Sequence, residues 1–75
     1  MDTKEIERMI LAGIPDASVE VRDPLNDRTH FEAVVISPSF AGKSRVQQHK
    51  MVYQALGKSF EGPLHALKLT TQAPS

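Results

Sequence analysis

"FAGKSRVQQHKMVYQAL", Phe40 to Leu56, joins a Gly-Lys-Ser loop to a run with helical spacing. A phosphate-binding loop would need a glycine five residues before Gly42, and Ser37 stands there instead. Gly42 therefore reads as a tight turn and Ser44 as the cap of a helix that extends to about Lys58. On that helix Val46, His49, Val52, Tyr53, Ala55 and Leu56 fall on one side, with Gln47, Lys50, Gln54 and Lys58 opposite. Such a helix covers something apolar, and the flanking segments supply it.

Upstream, "HFEAVVIS" carries the continuous apolar run Val34-Val35-Ile36, which predicts a buried strand, ended by Pro38 because proline cannot donate to a ladder. "ASVEVRD" alternates, with Ala17, Val19 and Val21 on one side, and predicts a half-buried strand joined to the next by turn residues 23–29. At the start, Asp2 and Glu5 form a variant capping box for a helix beginning near Thr3. Its apolar positions are Ile6, Met9 and Ile10, and Gly13 and Pro15 provide its stop. Downstream, "EGP" (61–63) breaks the chain and "LHALKLTT" (64–71) predicts a third strand, with His65, Leu67 and Leu69 on one side and a tail expected to fray from about residue 71 or 72 to Ser75.

The expected fold is α+β, in the order α-β-β-α-β. A strand, a crossover helix and a further strand favour a parallel pair, hence a three-stranded mixed sheet with helices on one face. Seventy-five residues make one domain, 1–75.

Nine Lys and Arg balance nine Asp and Glu, so no overall field draws the protein to nucleic acid or membrane. The balance hides a division. Residues 1–42 carry eight acids and four bases, and residues 43–75 carry five bases and one acid. Lys43, Arg45 and Lys50 form a basic surface for a partner or for nucleic acid. The N-terminus has neither signal-peptide nor transit-peptide character, which reads as cytoplasmic. No nucleophile and base stand out as a pair, so an enzyme is not expected.

There is no cysteine. Any soft-metal site must borrow its sulfur from another molecule. His49 lies mid-stripe and reads as core. His30 and His65 each open a strand. If those strands pair in parallel about 4.8 Å apart, the two rings can meet at one end of the sheet. Two imidazoles suit a borderline metal but leave a four-coordinate site incomplete.

The Phe40–Leu56 stretch followed by "LHALKLTT", together with the "HF" opening of the second strand, resembles the signature of BolA-like proteins. That pattern is an aromatic and a small residue, Gly-Lys-Ser-Arg-Val, a His-Lys-Met-Val-Tyr helix and a His-Ala strand. The resemblance implies a fold similar to the class II KH domain. It also implies a non-enzymatic adaptor role in iron-sulfur cluster handling or iron and redox sensing, as a heterodimer with a monothiol glutaredoxin. The shared [2Fe-2S] cluster would take His65 and His30 as ligands here, and thiolates from one glutaredoxin cysteine and one glutathione. Two histidines on one iron and two thiolates on the other is a Rieske-type arrangement, and the isolated chain is expected to hold no cluster. Some members of the family are described as transcriptional regulators, so a KH-like DNA- or RNA-binding role is the alternative. The Gly-x-x-Gly loop of RNA-binding KH domains is absent, only Gly42 being present.

Overall fold

The computed structural model describes residues 2–27, 30–57 and 66–74. Helix α1 (Thr3–Gly13) is followed by strands β1 (Ser18–Arg22) and β2 (His30–Ile36). A 3-10 turn (Pro38–Phe40) leads to helix α2 (Arg45–Leu56), and strand β3 (Ala66–Gln72) closes the order. The sheet runs β1-β2-β3, with β1 antiparallel and β3 parallel to the central strand. This is the mixed three-stranded arrangement expected from the sequence.

The caps form where the side chains dictate. Asp2 Oδ1 accepts the Glu5 N–H at 2.8 Å, and Ser44 and Gln47 form a reciprocal capping box at the start of α2. Gly42 has φ +78°, the left-handed conformation that favours glycine. The Gly-Lys-Ser segment is thus a turn and a cap.

Alternation decides which sheet face is covered. Phe31, Ala33 and Val35 of β2 are buried, and Phe31 and Val35 pack with Ile6, Ile10 and Ile14 of the α1 region, Phe40, and Val52 and Leu56 of α2. Leu67 and Leu69 of β3 pack against this core from their register positions opposite Phe31 and Ala33.

Two expectations change. Val46 and Tyr53 do not face the sheet; they are 65% and 45% exposed. At about 100° per residue, Val46 lies roughly 120° around the helix from Val52 and Tyr53 about 100° from it, so neither can share its inward direction. The inward side is set by Val52 and Leu56, by Ala55 against α1, and by Gln48, whose Oε1 accepts the Thr71 hydroxyl at 2.7 Å. Gly13 is the last residue of α1, as expected, and a Cβ built there would come 2.5 Å from the Ala55 Cβ, so this glycine is also where the two helices touch. The second change is the tail. Thr71 and Gln72 pair with Val35 and Ile36, the Ser37 N–H donates to the Gln72 carbonyl at 3.1 Å, and Ala73 packs on the core. The expected break at 61–63 lies outside the described residues, as does Lys58.

Asp16, just after α1, accepts hydrogen bonds from the hydroxyls of Ser37 and Ser39, which tie the first loop to the end of β2. Ser37 is fully buried. These bonds, that from Ser37 foremost, hold the Asp16 carboxyl below its ordinary value.

Gly13→Ala is expected to lower stability by about 1–3 kcal/mol, because Ala55 must shift to admit the methyl. Ala55→Gly in the same chain should restore part of the loss, and thermal unfolding of the single and double variants tests this. A fully additive pair would show that the two sites do not meet. Because the folded-state pKa of Asp16 is depressed, its contribution is complete above the unfolded value of about 3.9 and is lost as pH falls through the folded value. Denaturation curves between neutral and acidic pH should therefore show a shallower acid loss for Asp16→Asn than for the wild type.

Candidate functional site

The turn that leads into β2 is built from short-range hydrogen bonds. The Asn26 N–H donates to the Asp23 carbonyl at 3.1 Å and the Asp27 N–H to Asp23 Oδ1 at 3.2 Å, while Asn26 takes the left-handed conformation at φ 52°. Pro24 supplies the preset φ that favours the second position of such a turn. The turn places Asp27 against His30. Asp27 Oδ1 accepts the His30 backbone N–H at 3.0 Å, and Oδ2 lies 2.8 Å from His30 Nδ1.

This pairing assigns the imidazole tautomer. An ionised carboxylate only accepts, so Nδ1 carries the proton and, in the neutral ring, Nε2 keeps its lone pair. The side chain is 53% exposed. A histidine whose Nδ1–H is held by a carboxylate and whose Nε2 is free is the arrangement found behind metal-bound imidazoles, where the second hydrogen bond fixes the ring and raises its basicity. His30 therefore fits the role of a single nitrogen ligand. Asp27 is the functional residue that sequence reading passed over. Its signal was a carboxylate three residues before a histidine in a turn.

The parallel register sets His30 opposite Ala66, the residue that follows His65 in the sequence. His65 itself lies outside the described residues. Among the described residues, no group of three His, Cys, Asp or Glu side chains could hold a metal ion. Any cluster on this surface would need ligands beyond those described.

The basic residues belong elsewhere. Arg45 is the first residue of α2 and lines a polar depression of about 390 Å³ with His49, Thr70, Thr71 and Gln72, at the far end of β3. The Lys43 carbonyl accepts from Gln48 Nε2, whose other end holds Thr71. Thr71 pairs with Val35, near the end of β2, so the length of that strand, about 20 Å, separates this region from His30. Lys43, Arg45 and Lys50 are all exposed. His49, read as core, is half-buried, and its Nε2 is buried without a hydrogen-bond partner among the described residues. Among the described residues no helix is long and apolar enough to cross a membrane.

A family model described as BolA-like protein matches residues 8–75. The UV-induced protein uvi31 of Schizosaccharomyces pombe is 37% identical over 68 residues, which are 91% of this chain and 58% of that protein. BolA-like protein 1 of Mus musculus is 38% identical over 52 residues, 69% of this chain and 38% of the relative. The chain thus spans about two fifths to three fifths of the length of these two relatives. A BolA protein homologue from Coxiella burnetii has a similar structure, with a TM-score of 0.83 at 36% identity over 99% of this chain and 92% of that one. The BolA domain of SufE1 from Arabidopsis thaliana gives 0.79 at 27% identity over 96% and 91%.

Asp27→Asn should loosen the His30 ring, since a carboxamide presenting its oxygen to one N–H cannot hold the second in the same way. The expected result is a shifted His30 imidazole resonance and faster ring motion by NMR, with the thermal midpoint little changed at this exposed site. Identical imidazole chemical shifts in both proteins would show that the contact does not govern the ring.

Proposed function

Since the chain belongs to the BolA-like protein family, we propose that it is a non-enzymatic adaptor that handles or senses iron-sulfur clusters through a [2Fe-2S]-bridged heterodimer with a monothiol glutaredoxin. The observation that carries this reading is the exposed His30 ring held through Nδ1 by Asp27, with no hydrogen-bond partner for its Nε2 among the described residues. His30 and His65 would supply neutral nitrogen ligands. The cluster, when bound, would supply the redox and spectroscopic properties of the complex. Asp27 fixes which nitrogen of His30 is offered, and exposure of the ring lets a partner reach it.

The absence of cysteine supports a shared site. Imidazole cannot replace the thiolates that hold the second iron, so the sulfur ligands come from the glutaredoxin cysteine and from glutathione. The KH-like nucleic-acid reading would use Lys43, Arg45 and Lys50 instead. Those of Lys43 and Arg45 that contact phosphate would do so at the other end of the sheet, which makes the two readings separable by mutation.

Mixing the protein with a monothiol glutaredoxin, iron, sulfide and glutathione should give a coloured heterodimer, read by visible absorption, circular dichroism and native mass. Without the thiol partner no cluster should persist. His65→Ala should abolish the mixed-ligand spectrum, His30→Ala should weaken it, and His30→Cys should keep a cluster with a changed spectrum, because thiolate is a competent substitute. Lys43→Glu with Arg45→Glu should leave that spectrum intact. Retention of the wild-type spectrum by both alanine variants would overturn the ligand assignment. DNA or RNA binding that weakens steeply with salt, and is lost in the charge-reversed protein, would favour the regulator.

A further inference from the structure

Beside His30 lies an open groove of about 500 Å³, walled by Pro24, Leu25 and Leu67 and edged by His30, Glu32 and Lys68. Leu25 is 63% exposed, although it sits on a turn whose backbone is held at both Asn26 and Asp27. A large aliphatic side chain this exposed contributes little apolar burial to this fold. Presented on a rigid turn, it loses little freedom when something covers it. The same turn carries Asp27, which orients His30, so one turn positions both the apolar wall and the candidate ligand.

We infer that this groove is the docking site for an apolar side chain of the same thiol-bearing partner that completes the cluster, with Leu25 as the anchor on this chain. The inference rests on the proposed shared cluster. A partner that places thiolates on an iron held by His30 must bring its surface within a few ångströms of that ring, and the groove is the apolar surface adjoining it. Glu32 and Lys68 face each other across the β2–β3 register. They give the rim one charge of each sign, which orients a polar partner surface around the central apolar contact. This is the interface pattern of an apolar centre with a charged edge.

The test uses the intact chain and a monothiol glutaredoxin with iron, sulfide and glutathione, comparing the wild type with Leu25→Ser and Leu25→Ile. Leu25→Ser should bind about tenfold more weakly, keep the thermal midpoint of the free protein, and show an unchanged spectrum once saturated. Leu25→Ile should bind like the wild type. If Leu25→Ser forms the coloured complex with undiminished affinity, the groove is not the docking site, and the cluster reading stands. If a colourless heterodimer forms and still depends on Leu25, the docking site holds and the cluster reading fails. Absence of any binding to the glutaredoxin overturns both.

Discussion

Parallel pairing of β2 with β3 requires the chain to return along the whole length of the sheet, and α2 makes that return. The start of α2 must then lie by the ends of β2 and β3. Its hydrogen bonds show this, since Gln48 joins the Phe40 and Lys43 carbonyls on one side to Thr71 on the other. The close approach of α1 at Gly13 and Ala55 then fixes the rotation of α2 about its own axis. From these two constraints come the buried positions of Val52 and Leu56, the exposure of Val46 and Tyr53, and the distance between the basic helix start and His30.

That distance gives the molecule two distinct ends. One presents an imidazole on a structured turn beside an apolar groove. The other presents Arg45 on a polar depression that it lines together with His49, and the exposed Lys43 precedes the same helix. A shared cluster and a nucleic-acid backbone ask for different chemistry. The first needs few, well-oriented ligands near apolar surface, and the second needs several mobile cations. The described residues at the His30 end present one oriented imidazole beside apolar surface. The turn from Asp23 to Asp27 is central to it, because the hydrogen bonds that link Asp23, Asn26, Asp27 and His30 among the described residues span no more than four positions.

Much of this was legible in the sequence. The order of elements, the two N-caps, the turn at Gly42 and the parallel central pair all follow from local signals: alternation, helical spacing, proline and glycine. The lack of cysteine, and the consequence that thiolate must come from elsewhere, is likewise a property of composition. His30 could be placed at a strand opening for the same reason.

The tertiary structure decided what local signals leave undetermined. Helical spacing shows that α2 has apolar residues on more than one side, but which side faces inward depends on the helix and strand packed against it. Gly13 is the stop signal it looked like, and its missing side chain is also needed by Ala55, a residue 42 positions along the chain. The link from Asp27 to His30 depends on a turn with one left-handed residue, Asn26, which the sequence permits without requiring. Sequence determines what each segment can form because those interactions lie within a few residues. Packing between distant segments selects the face, the spacing and the orientation, because only there do the competing arrangements differ in energy.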